Sequence, residues 1–435
     1  MEKTLSRQLL DFLDASPSCY HAVENLRQEL LAQGYEQLLE FQPWKIRRGG
    51  KYFVVRGDST LAAFRIPEQL TGGFMLAAAH SDSPTFKLRE EAEVASSGGC
   101  VRLSVEPYGG MISRSWMDRP LSVAGRAMVR EGGRLVSRLV NIDRDLLVIP
   151  SLAIHLNREV NQGTPLKANK DLLPVFACGS EAGRFRDLLA QTLGAAEEDI
   201  LSTELFLYPR TPGTLLGAEE ELIASPRLDD LQCVFGCFRA FLSARESGSI
   251  PVMCVFNNEE VGSGTRQGAD STFLTDVLER IAGSLGIADE AYRAMVANSF
   301  MVSADNAHAM HPSYPEYADG NEHPVLNGGI VIKYNANQKY TTDAVSAAAF
   351  GEICSSAGVA VQRYSNRADL PGGSTLGNIC NAHLSIPTID IGMPQLAMHS
   401  AYEVAGARDT ADLVSAMTEF FSRSFRYLPE GGVVI

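Results

Sequence analysis

The chain has 435 residues, more than one ordinary hydrophobic core accommodates, so two domains or one large domain with an insertion are expected. Its 45% hydrophobic and 21% charged residues argue against a disordered or fibrous protein. A formal net charge of -14 argues against a nucleic-acid partner, which favours a basic face, while leaving room for a local basic pocket.

The N-terminal run MEKTLSRQLLDFLDASPSCYHAVENL has early acidic residues and no apolar segment behind them, so it does not read as a signal peptide. Residues 4–32 carry helical periodicity, interrupted at Ala15-Ser16-Pro17-Ser18. Strands are expected at 52–56, 61–66 and 74–79, and the last is almost wholly apolar, as in a strand buried on both faces. Between about 89 and 223 the pattern changes. Short alternating segments such as 101–105 and 134–139 are separated by Gly98-Gly99, Gly109-Gly110 and Gly132-Gly133, with one amphipathic helix near 180–195. This stretch is read as an inserted β-rich domain within a discontinuous domain formed by 1–88 and 224–435.

From residue 226 helices and apolar strands alternate. A helix over 228–243 places Leu228, Leu231, Val234, Phe235, Phe238 and Leu242 on one face. Strands follow at 251–256, 300–303, 329–333 and 387–391. The alternation predicts an α/β fold with a mainly parallel central sheet covered on both faces. No apolar run reaches the roughly 18 residues of a membrane span. The eight cysteines form no C-x-x-C pair and are expected as buried free thiols, which makes the cytoplasm the default compartment.

Metal-binding residue types recur where the buried strands end. The run 74–79 leads into His80-Ser81-Asp82, 251–256 into Asn257-Asn258-Glu259-Glu260, and 300–304 into Asp305; His399 follows 387–391 after a loop, and Asp229 opens the helix 228–243. Ligands of open α/β sheets bind outside the carboxyl ends of the strands. Two histidines and three carboxylates suit two zinc ions, one carboxylate bridging them. The pair Glu259-Glu260 offers one ligand and one base, and Asp82 is placed to accept the other imidazole N–H of His80. Singly, each residue has a structural explanation: a satisfied histidine, a solvated loop, or acids favouring a helix N-terminus. Together they imply a cation, because desolvated unpaired carboxylates are costly. Gly262-Ser263-Gly264-Thr265 lacks the Gly-Lys-Ser/Thr of a phosphate loop, and no G-x-S-x-G nucleophile motif occurs.

The strings AAAHSDSPTFKLR, SPRLDDL, FNNEEVGS, SADNAHAMHPSY and GMPQLAMHSAYE, with SLAIHLNR in the insertion, resemble the aspartyl aminopeptidases of the M18 metallopeptidase family. The resemblance runs over nearly the whole chain. It implies a zinc-peptidase α/β/α sandwich that hydrolyses the N-terminal residue, preferably Asp or Glu, from peptides. Asp229 would bridge two zinc ions, with manganese or cobalt as alternatives. His80 and Asp305 would complete one site, Glu260 and His399 the other, and Glu259 would be the general base. Lys333, Tyr340 and His308 would read the acidic side chain, with Arg227 or Lys339 as substitutes for Lys333. The family also assembles, commonly into a tetrahedral dodecamer in which an insertion histidine, here His155, reaches a neighbour's active site. Asp230 departs from the asparagine frequent in relatives. Two readings compete: a broader two-zinc aminopeptidase or deacylase, and a catalytically idle self-assembling scaffold.

Overall fold

The structure, a computed structural model, describes residues 2–179 and 184–435. Two helices, Glu2–Asp14 and Cys19–Ala32, flank the interruption expected around Pro17. The long helix is Leu228–Ser243, and the amphipathic helix of the insertion is Phe185–Leu193; residues 180–183 of that expectation lie outside the described residues.

Among the described residues, nine strands form the central sheet, with Phe74–His80, Ile250–Phe256, Phe300–Ala304 and Thr388–Gly392 at its middle, mutually parallel. Every residue of Phe74–His80 and Ile250–Phe256 is buried. Successive side chains point to opposite faces of a strand, and this divides the core in two. Met75, Ala77 and Ala79 pack with the helices Leu228–Ser243 and Asp409–Phe421, while Phe74, Leu76 and Ala78 pack with Phe273–Ser284 and Leu376–His383. A helix layer on each face is the reason both sides of these strands are apolar.

The sheet is mixed, with five of the pairings between its described strands parallel and three antiparallel, so the expected parallel character holds for most of it and fails at two strands. Thr60–Arg65 runs antiparallel to both of its neighbours, and Ile330–Tyr334 runs antiparallel to Thr388–Gly392. The first reversal has a local cause. Lys51–Arg56 and Thr60–Arg65 are joined by a tight turn with left-handed backbone at Gly57 and Asp58, too short for a crossover.

A second sheet, of six strands among the described residues, lies between Thr85 and Pro209, and its strand pairings are antiparallel. It has a separate core around Phe86, Leu103, Trp116, Leu121 and Leu205. In its hairpin Leu121–Glu131 to Arg134–Asn141, Gly132 and Gly133 both take positive φ, the conformation a two-residue turn requires. A third sheet joins Thr214–Leu216, Leu222–Ser225, Glu403–Gly406, Pro394–Leu396 and Ala307–His308.

Six cysteines are free and buried as expected, but Cys100 and Cys178 are joined by a disulfide. They face each other on adjacent antiparallel strands, Cys100–Tyr108 and Val175–Cys178, a proximity that 78 residues of separation conceal. No helix among the described residues is long and apolar enough to cross a membrane.

The sheet is anchored at its base by Phe300, fully buried with its ring centroid 5.8 Å from Phe420 and 5.2 Å from Phe425. Phe300→Ala is expected to lower stability by about 3–5 kcal/mol, read from the urea midpoint at unchanged slope.

Candidate metal centre

His80 closes the strand Phe74–His80 and is 1% exposed. Its Nδ1 lies 3.0 Å from the backbone carbonyl of Asp82, which leaves Nε2 facing Asp229 Oδ1 at 3.5 Å. The Asp82 carboxylate stands further from Nδ1, at 3.5 Å. It accepts instead from the Glu259 and Glu260 N–H groups, each at 3.2 Å, and from the Tyr108 hydroxyl at 2.7 Å. Asp82 therefore orients His80 through its main chain, while its side chain holds the loop carrying the two glutamates.

Asp229 lies in the non-helical entry to Leu228–Ser243, joined to Asp230 by a cis peptide bond. Its two carboxylate oxygens divide between the histidines: Oδ1 towards His80, and Oδ2 3.4 Å from His399 Nε2. His399 Nε2 is also 3.4 Å from Glu260 Oε2. Glu403 fixes this side, accepting from the Asp229 N–H at 3.0 Å and the His399 N–H at 2.7 Å. Arg227, Asn258 and His399, each beside or within these loops, have left-handed backbone with φ of 62°, 63° and 65°.

Asp305 follows Phe300–Ala304 and lies 3.6 Å from Lys333 Nζ. Lys333 is buried rather than reaching solvent; it donates to the Asn306 carbonyl at 2.8 Å and lies over the Tyr340 ring at 5.6 Å. One cavity is lined by His80, Asp229, Glu259, Glu260, Asp305 and His399 together with Lys333, Tyr340 and His308, the last exposed at its rim. His155 is elsewhere, in an exposed turn between 151 and 157. Arg227 donates to the Leu13 carbonyl and Lys339 to that of Gly372.

The electrostatics of the cluster call for cations. Burial, then neighbouring carboxylates, pushes the Glu260 and Asp230 carboxyls well above their usual range. Burial pushes Glu259 up to about 8. Against burial, His399 and His80 hold Asp229 below the usual carboxylate range. Among the described residues, Asp230 Oδ1 and Glu260 Oε1 are buried with no hydrogen-bond partner, and Asp229 Oδ1 is buried with only the His80 ring near it, at 3.5 Å. Ligand atoms gather within 4.8 Å of one another in the groups His80, Asp229, Asp230, Asp305 and Asp229, Glu260, His399, and again in His80, Glu259, Glu260. Oxygens that are buried, acidic and unpaired, alternating with imidazole nitrogens, form a donor set suited to zinc.

The model of the aminopeptidase I zinc metalloprotease family, M18, matches residues 12–421. The chain belongs to the M18 aminopeptidase family. The probable M18 family aminopeptidase 2 of Clostridium acetobutylicum is 41% identical over 429 residues, 97% of this chain and 99% of that one. Among solved structures, Ape4 in its complex with Nbr1 superposes with a TM-score of 0.93 at 36% identity, covering 97% of this chain and 86% of that one. The S. cerevisiae mApe1 dodecamer gives 0.84 at 26% identity, covering 97% of each chain. This M18 chain is thus a metallo-aminopeptidase, a hydrolase of peptide bonds.

Three contributors to its site are absent from the sequence-based expectation. Asp230 Oδ2 accepts from the His80 N–H at 3.2 Å, and its carboxylate stands within the cluster of candidate ligands, where the sequence showed only a departure from the asparagine frequent in relatives. Glu403 and Tyr108 hold ligand loops from distant segments. Only the strand-end pattern was readable, and neither residue ends a central strand.

Proposed function

We propose that this chain is a two-metal aminopeptidase that removes N-terminal Asp or Glu from peptides. The observation that carries the reading is the Asp229 carboxylate, with one oxygen turned to each of two histidines. A carboxylate so placed would be able to bridge two metal ions held by the two histidine sides. His80 and Asp305 would hold one zinc ion with Asp229, and Glu260 and His399 the other. Bound there, the ions supply Lewis-acid polarisation of the scissile carbonyl and acidify water. Glu259 has the role of general base: it accepts the proton of the attacking water and returns it to the leaving amine. Its position supports this, since Oε2 stands 4.0 Å from His80 Nε2 and its own N–H is tied to Asp82.

Lys333 gives the pocket its preference for an acidic side chain. It is a buried cation lining the cavity, hydrogen-bonded to the Asn306 carbonyl and 3.6 Å from the Asp305 carboxylate, and its three N–H groups leave one for a substrate carboxylate. Tyr340 and His308 flank it. Residues 1–88 and 224–435 form the catalytic domain in this reading, and 89–223 an oligomerisation domain. Likeness to the mApe1 dodecamer supports a homo-oligomer, a tetrahedral dodecamer in this proposal, whose exposed turn at His155 reaches a neighbouring site. A cytoplasmic setting goes with it, supported by the six buried free thiols, although the Cys100–Cys178 disulfide runs counter to a reducing compartment.

The test is a panel of aminoacyl substrates, with chelator and with zinc restored, on the wild type and on Lys333→Met. Chelator is expected to abolish activity and zinc to return it. Lys333→Met is expected to reduce the kcat/KM preference for Asp over Leu at least about 30-fold, from a lost charge-pair contact of ~2 kcal/mol or more. An unchanged preference would assign the carboxylate to another residue.

A further inference from the structure

The second sheet does more than lie beside the metal centre. Its strand Cys100–Tyr108 ends where the segment Tyr108 to Ser115 crosses the ligand loops. The Tyr108 hydroxyl donates to Asp82 Oδ2 at 2.7 Å and accepts from Asn258 Nδ2 at 2.8 Å. It therefore ties the loop after His80 to the loop that carries Glu259 and Glu260. Gly109 follows with φ of 75°, and a Cβ built there would come within 3.1 Å of Glu260 Cβ, so the backbone passes directly over that side chain. A Cβ built at Gly110 would stand 4.0 Å from His399 Nδ1, so the backbone runs on beside that ring. Ile112 donates its N–H to the His399 carbonyl at 2.9 Å, and Ser115 Oγ accepts from the Ala401 N–H at 2.8 Å. Ala401 itself is packed in the core of the second sheet.

We propose that Tyr108 is a positioning residue for the metal centre: its hydroxyl sets the Asp82 carboxylate and, through it, the Glu259 and Glu260 main chain, so that the second sheet fixes the geometry of ligands it does not itself supply. The physical argument is one of shared acceptors. Asp82 Oδ2 takes both the Tyr108 hydroxyl and the Glu260 N–H, and Asp82 Oδ1 takes the Glu259 N–H. Deleting the hydroxyl leaves Asn258 Nδ2 without this acceptor and Asp82 with backbone donors alone, so the carboxylate can rotate and the glutamate loop can follow it. Groups that orient metal ligands from behind are typically worth about 10–100-fold in affinity or activity. The Tyr108 ring is separately packed edge-on against Phe206, with centroids 5.5 Å apart, so the polar and packing roles of the residue can be separated.

The proposal rests on the assignment of Glu260 and His399 as ligands. Its experiment is a zinc titration of folded protein against a chromophoric chelator, alongside kcat and KM on a peptide with an N-terminal Asp. Tyr108→Phe is expected to weaken zinc binding about 10-fold or more and to lower kcat, with KM within about twofold. Phe206→Leu, which removes the ring contact and keeps the hydroxyl, is expected to bind zinc as the wild type does. Asn258→Gly suits the left-handed backbone there and removes the donor to the phenol; it is expected to weaken zinc in the same direction by a smaller factor, and it decides the matter if Tyr108→Phe does not fold. Unchanged zinc affinity in Tyr108→Phe, or equal losses in Tyr108→Phe and Phe206→Leu, would reduce Tyr108 to packing. The wild-type titration separates the two levels: a wild type that binds no zinc overturns the ligand assignment itself, whereas a wild type with two ions and an indifferent Tyr108→Phe overturns only the positioning role.

Discussion

Replacing Glu259 with glutamine is expected to lower kcat by about 10²–10⁴-fold while both ions stay bound. The substitution preserves shape and the main-chain tie to Asp82, and it removes the one property assigned to the side chain, the capacity to take a proton. Glu259 stands 4.0 Å from His80 Nε2, outside the closer contacts that the Asp229 carboxylate makes with both histidines. Zinc content and kcat measured on one preparation separate the outcomes. Near-native turnover would remove Glu259 from proton transfer, and loss of an ion would make it a ligand.

A different signature is expected for Asp229→Ala. A ligand that serves one ion costs one ion; a bridge costs both. Asp229 is buried between His80 and His399, and its loss also strands those imidazoles among the remaining carboxylates. Metal retained after dialysis is expected to fall from two ions per chain towards none, with activity below detection. His80→Ala, under the same conditions, is expected to spare the ion held by Glu260 and His399. Two ions retained at native affinity in Asp229→Ala would end the bridging assignment.

Much of this centre was readable in the sequence because its geometry is a consequence of strand chemistry. His80, Glu259, Glu260 and Asp305 each follow a run of buried, mostly apolar residues, and a run buried on both faces of a sheet presents its polar groups chiefly at its end. What escaped was set by distant contacts. The Asp82 carboxylate was expected on the His80 ring, but the donors that claim it come from Tyr108, Glu259 and Glu260, and the nearer Asp82 carbonyl serves the ring. Lys333 resembles any lysine at a strand end; its burial follows from its neighbours Asn306 and Tyr340. The reversed strand Thr60–Arg65 depended on a short turn at Gly57 and Asp58, and the Cys100–Cys178 pair on the register of two strands far apart in the chain.

The left-handed residues Arg227, Asn258 and His399 bear on when the centre takes shape. Each holds a conformation that costs a non-glycine residue roughly 1–2 kcal/mol, and it persists because the surrounding packing leaves no alternative. The packing of the folded enzyme therefore helps hold these loops in shape, and an incoming ion is expected to meet loops already close to their final form. Affinity at such a centre depends on the integrity of the whole scaffold, so distant packing faults would surface first as leaking metal.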